Sequence, residues 1–146
     1  MKVFINISIF AVLLFVSCYK KPPQPTEVPV TKSVQFQIAQ GRDYSAPVYD
    51  GLKVELKLSV AKESTVDGKV LALWDTTFSL RSISEFAVTA APFTLSKQFN
   101  DIWQSSQVLR VSRVIKYVDA ANQVTQNGFG ETIPVAVEVK QFPVNL

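Results

Sequence analysis

Not one of the 146 residues is a histidine. That absence excludes Ser-His-Asp and Cys-His nucleophilic sites in their usual forms and removes the commonest general base at neutral pH. It also removes the His-containing ligand sets of zinc, copper and non-haem iron. Cysteine occurs once, as Cys18, so no intramolecular disulfide can form and the fold must rest on its core alone. The five glycines include no Gly-rich cluster followed by Lys-Ser or Lys-Thr, which leaves no phosphate-cradling loop. No Asp-x-Asp-x-Asp run is present to build a calcium loop of EF-hand type. The expectation is a protein with no catalytic residues, no metal ligands and no dissociable cofactor.

Charge is sparse too, at 18% of residues against 47% hydrophobic, a balance that suits a folded globule. If Lys2 leaves with a leader, the full chain's 15 basic side chains become 14 against 12 acidic, a net +2. The basic residues are scattered singly among carboxylates, whereas a nucleic-acid binder clusters them on one face, so no nucleic-acid partner is expected. Carboxylate pairs are the last route to catalysis, since two acids about 5 to 10 Å apart can hydrolyse a glycosidic bond. Asp43, Asp50, Asp67, Asp75, Glu85, Asp101 and Glu131 are candidates, but at turns and on strand faces solvated charge is their ordinary meaning.

What is present begins at the N-terminus. Met1-Lys2 precedes a nearly continuous apolar run over residues 3–16 (VFINISIFAVLLFV), the shape of a signal-peptide core. It is shorter than the roughly 20 apolar residues of a membrane-spanning helix. The run ends in Phe15-Val16-Ser17-Cys18, which resembles the lipobox of bacterial lipoproteins. The resemblance covers only the leader and Cys18. It implies cleavage before Cys18, a diacylglyceryl group on its thiol and acylation of the new amine, so that covalent lipid takes the place of a cofactor. Several acyl chains hold a protein on its membrane where one does not. By the sorting rules of that family Tyr19 implies delivery to the outer membrane, and Lys20-Lys21 favour the periplasmic face over the cell surface.

Residues 19–33 contain Pro22, Pro23, Pro25 and Pro29 and read as an extended tether. The expected organisation is therefore a leader at 1–17, lipidated cysteine and tether at 18–33, and one domain at 34–146.

In that domain apolar and polar residues alternate. Val34, Phe36 and Ile38 are separated by Gln35 and Gln37, and Leu52, Val54, Leu56, Leu58 and Val60 by Lys53, Glu55, Lys57 and Ser59. Asp67-Gly68 reads as a two-residue hairpin turn, with a strand from Val70 through Trp74, Thr76, Phe78 and Leu80 expected at a sheet centre. Residues 93–99, 108–118 and 133–142 are further strand candidates, and Asn127-Gly128-Phe129-Gly130-Glu131 reads as a hairpin loop. About seven strands without helical periodicity predict an all-β, antiparallel, immunoglobulin-like β-sandwich, with a small closed barrel as the alternative.

Four aromatics are candidate contact residues. Phe99 and Trp103 are expected in or beside a loop flanked by amides and acids, where they either anchor a partner or close one end of the core. Tyr44 and Tyr49 flank Pro47 in another loop, while Trp74 and Tyr117 read as buried. Three functions fit: a membrane-anchored, non-catalytic binding or scaffolding domain of an envelope complex; a cell-surface glycan-binding module with a row of coplanar aromatics; and, least favoured, a small hydrolase using two carboxylates.

Overall fold

A computed structural model describes residues 26–146. Cys18, the expected leader and the first part of the expected tether lie outside the described residues. Seven strands are present: β1 (Val30–Ala39), β2 (Lys53–Ser64), β3 (Val70–Ser82), β4 (Phe93–Ile102), β5 (Gln107–Val118), β6 (Val124–Ile133) and β7 (Val139–Asn145). Short 3-10 helices occupy Pro47–Tyr49 and Ile83–Glu85. The strands form two sheets, β4-β1-β7 and β3-β2-β5-β6. The chain is an all-β sandwich of seven strands. Four strands face three, as in an immunoglobulin constant-type sandwich, with a connection order of its own. All pairings are antiparallel except β1 with β7, which is parallel.

Period-2 patterning builds the layers. In β2, Val54, Leu56, Leu58 and Val60 are fully buried while Lys53, Glu55, Lys57 and Ser59 point outward. Val34, Phe36 and Ile38 of β1, Leu109, Val111 and Ile115 of β5 and Phe142 and Val144 of β7 meet them from both sheets. Phe36 sits at the centre, its ring 5.5 Å from Trp74 and 5.7 Å from Phe142 in an edge-on contact. Burying each such side chain contributes roughly 1.5–3 kcal/mol. Among the described residues the buried members of this core cluster lie between Val34 and Leu146, with Val30 packed against it.

Several local expectations are corrected. Residues 30–33, read as the end of the tether, belong to β1. The segment between β2 and β3 is longer than a two-residue turn: Ser64 N–H donates to Lys69 C=O at 2.9 Å, and only Gly68 takes positive φ. β3 is an edge strand of its sheet, not a central one. Asn127 to Glu131 lie inside β6, paired with Ile115 to Val111 of β5, and the turn falls at residues 119–123. There the Asp119 carboxylate accepts the N–H groups of Ala121 and Gln123 at 2.9 and 2.8 Å, and Asn122 takes φ 60°. Those local hydrogen bonds outcompete a turn at Asn127-Gly128.

The strand expected over 133–142 is divided. β6 stops at Ile133, and Pro134 C=O accepts Val137 N–H at 3.0 Å in a turn that carries the chain to the other sheet. Lys32, inward-facing on β1 and 2% exposed, sets that break. Its Nζ donates to the carbonyls of Pro134, Val135 and Val137 at 3.1, 2.7 and 3.0 Å.

The two ends of the sandwich are distinct. At one end the chain enters, and the Glu27 carboxylate accepts the Ser105 N–H at 2.7 Å and its hydroxyl as well. At about 3.3 Å per residue, Ile38 lies roughly 26 Å away along β1. The opposite end carries Gln40, Tyr44, residues 83–93 and Leu146.

Candidate functional site

The expected contact residues do not converge. Phe99 is 7% exposed and faces the core from β4, opposite Lys32, so it offers no surface. Trp103, 40% exposed, follows β4 at the same end as Glu27, where its backbone N–H donates to Gln107 Oε1 at 3.1 Å. Tyr44 and Tyr49 stand at the other end with rings 4.9 Å apart and inclined 74°. The Tyr44 hydroxyl donates to the Leu146 carbonyl at 2.8 Å and Arg42 lies over its ring, contacts that fasten the chain end. The four aromatics thus form no coplanar row. Cys18 lies outside the described residues.

The site that the fold does assemble is a cleft of about 450 Å³ beside the crossover from β3 to β4, lined by Ile38, Phe78, Arg81, Glu85, Phe86, Ala87 and Phe93. It lies between the edge strands of the two sheets, at the end away from Glu27. Phe78 and Phe93 meet edge to face across the layers at 6.2 Å, and Phe93 remains 50% exposed. Buried Ile38 and Phe86 supply more apolar wall.

The crossover is held against β1 by one residue. Gln40 donates its backbone N–H to Ala87 C=O at 2.8 Å and its amide nitrogen to the carbonyls of Ile83 and Phe86 at 3.3 and 2.8 Å. Its own carbonyl accepts from the Thr89 hydroxyl. Ser82 and Glu85 form a capping box at the start of the short helix, the Glu85 carboxylate accepting the Ser82 N–H at 3.2 Å.

Arg81 reaches this cleft through a β-bulge. Leu56 pairs with Phe78 but Val54 with Arg81, so Ser79 and Leu80 together oppose Glu55. Unbroken alternation would place Leu80 inside with Phe78. The extra residue turns Leu80 outward, 42% exposed, and puts Arg81 on the inner face. Its guanidinium stacks 4.3 Å from the Phe86 ring centre and 5.4 Å from that of Phe78. Sequence reasoning missed Arg81 and Phe93 because neither the bulge nor the cross-sheet pairing leaves a local signature.

Two other surfaces are shaped by the sheets. A second cleft, of about 340 Å³, opens between β6 and β7. There the Arg113 side chain donates to the Pro143 carbonyl at 2.7 Å beneath Phe129, with its Nε buried and without an acceptor, and Lys140 pairs with Glu131 at 2.9 Å. The outer face of the three-stranded sheet carries Ser33, Gln35 and Gln37 of β1, Thr94, Ser96 and Gln98 of β4 and Gln141 of β7, with no charged residue in these rows. Among the described residues no three His, Cys, Asp or Glu side chains gather as metal ligands, and no helix is long and apolar enough to cross a membrane.

No family model, no curated protein and no solved structure matches the chain.

Proposed function

We propose that this is a lipid-anchored envelope protein whose β-sandwich is a non-catalytic binding or scaffolding domain, a subunit or accessory of an envelope complex, with the cleft between β3 and β4 as its contact site. The observation that carries the reading is the placement of an open apolar cleft, with a half-exposed Phe93 and a stacked Arg81, at the end opposite the tether. A chain fixed to lipid through Cys18 would then present the cleft away from the bilayer. The lining offers apolar area, one guanidinium and one carboxylate, a set suited to holding a partner.

Two experiments test this. Cys18→Ala is expected to leave the domain folded and to move the protein from the membrane to the soluble fraction; a variant with its leader removed that still sediments wholly with membranes contradicts the anchor. Crosslinking in cells is expected to capture one dominant envelope protein from the wild type, with capture lost in Phe93→Ala. Capture undiminished by that change moves the interface elsewhere.

The uncharged outer face favours a second reading as a glycan-binding module, since its hydroxyl and amide groups stand at strand spacing as donors and acceptors for sugar hydroxyls. Loss of binding to a glycan array on Gln35→Lys, with the cleft intact, is its test.

A further inference from the structure

From the state of Arg81 we infer that the cleft between β3 and β4 binds a carboxylate carried on an apolar body. The inference rests on the reading of that cleft as the contact site and names the ligand class.

The cationic groups of the domain differ in how they are satisfied. Lys69, Arg110 and Lys140 pair with Asp67, Glu63 and Glu131. Lys32 is surrounded by three carbonyls and Arg113 reaches Pro143. Arg113 Nε is likewise buried without an acceptor, although its terminal nitrogen is bonded to Pro143; Arg81, only half-exposed, enters no ion pair and makes no side-chain hydrogen bond among the described residues, and its Nε is buried with no acceptor. Glu85, the acid nearest in sequence, turns its carboxylate to the Ser82 N–H.

A buried donor without an acceptor is costly, and a guanidinium fixed between two rings has lost little further freedom when a planar anion arrives. Its fork matches a carboxylate in shape, and in apolar surroundings the charge-assisted bonds are stronger than in water. The rest of the lining is Glu85, whose carboxylate accepts the Ser82 N–H, and an apolar wall of Ile38, Phe78, Phe86, Ala87 and Phe93 that accepts hydrocarbon or an aromatic side chain. A dianionic ligand would find one guanidinium, no second cation and the Glu85 carboxylate in the same lining. Two sources share the required chemistry: a medium-chain fatty acid, and the terminal residue of a protein chain when that residue is apolar.

The chain from Tyr19 to Leu146 is titrated with octanoate, with octanol and octylamine as controls for the apolar body, and read by backbone and Arg Nε–Hε chemical shifts. Octanoate is expected to bind saturably, to shift Arg81 Nε–Hε and the amides of residues 83–87, and to bind at least tenfold more tightly than octanol. Arg81→Gln, with an otherwise native spectrum, is expected to abolish the preference for octanoate over octanol. A tripeptide ending in phenylalanine, as free acid and as amide, is the parallel probe. A free-acid preference for the peptide that exceeds octanoate binding assigns the source to a protein chain end, and the reverse to a fatty acid. Equal binding of octanoate and octanol overturns the carboxylate inference while leaving the cleft a binding site. Absence of binding by every probe overturns the inference and the choice of this cleft together.

Discussion

Lys32 shows how one residue can decide a local fold. The residue is almost wholly buried, and its ammonium group is bonded to three carbonyls of the β6–β7 turn. Burial holds its pKa below the ordinary 10.5, with Glu138 opposing the shift. Lys32→Met is expected to cost about 2 kcal/mol in urea unfolding, the scale of losing hydrogen bonds from a charged donor, and to speed hydrogen exchange in residues 134–139. The sign of the pH dependence follows from the depressed pKa. Below the folded value both states hold the proton and the desolvation cost is complete. As pH rises through that value toward 10.5, the native state releases its proton before the unfolded chain does, so stability increases. The gap between wild type and Lys32→Met should widen over that window, and a narrowing gap contradicts the burial cost.

Glycines 128 and 130 separate two causes at the same scale. Both lie within β6 with φ outside the positive range. A Cβ on Gly130 would stand 3.3 Å from Ser112 Cβ and from Val111 C=O in the well-packed β5, whereas the nearest atom to one on Gly128 is the Arg113 carbonyl at 4.0 Å. Gly128→Val is expected to be neutral or to stabilise by up to about 1 kcal/mol, from strand preference and reduced unfolded-state freedom. Gly130→Val should destabilise by about 1–2 kcal/mol through overpacking. Thermal unfolding distinguishes the pair from a hairpin at this place, where both substitutions would be unfavourable.

At the level of elements, β3 departs most from its pattern. It is a long edge strand, yet Ser79 and Leu80 share one partner position, as do neighbouring residues at Leu73, and such bulges twist an edge away from pairing with another chain. Leu80→Lys is expected to change stability by no more than about 0.5 kcal/mol, as for an exposed site. Leu56→Ala, in β2 opposite Phe78, should cost about 2–5 kcal/mol. A core-sized loss for Leu80→Lys would mean that alternation continues to the end of β3 and that Arg81 faces solvent. β7 is guarded differently. Pro143 lies in this edge strand, and Arg113 occupies its carbonyl.

For the whole molecule, one core drawn from both sheets predicts a single cooperative transition for residues 19–146, with coincident fluorescence and circular-dichroism curves. Phe36→Ala, which empties the contact with Trp74 and Phe142, should lower stability by about 3–5 kcal/mol without splitting that transition.

The alternation in residues 34–38 and 52–60 was sufficient to recover strands and their buried faces, because side-chain direction in a strand repeats every two residues whatever its neighbours are. The same local rule made the all-β class legible, while histidine's absence and the single cysteine bounded the available chemistry. Phe99 and Arg81 show where such reading stops. Whether Phe99 anchors a partner or fills the core depends on its position opposite Lys32, and Arg81 comes inside only because a bulge in β3 shifts one register position. The cleft is built by residues 38, 78, 81, 86 and 93, far apart along the chain and brought together by strand pairing and by the packing of one sheet on the other. Patterning along the sequence determined the class of fold, the buried strand faces and the chemistries lacking their residues; tertiary structure alone decided which edges are free, that Arg81 turns inward and where the cleft opens, because each depends on contacts between distant segments.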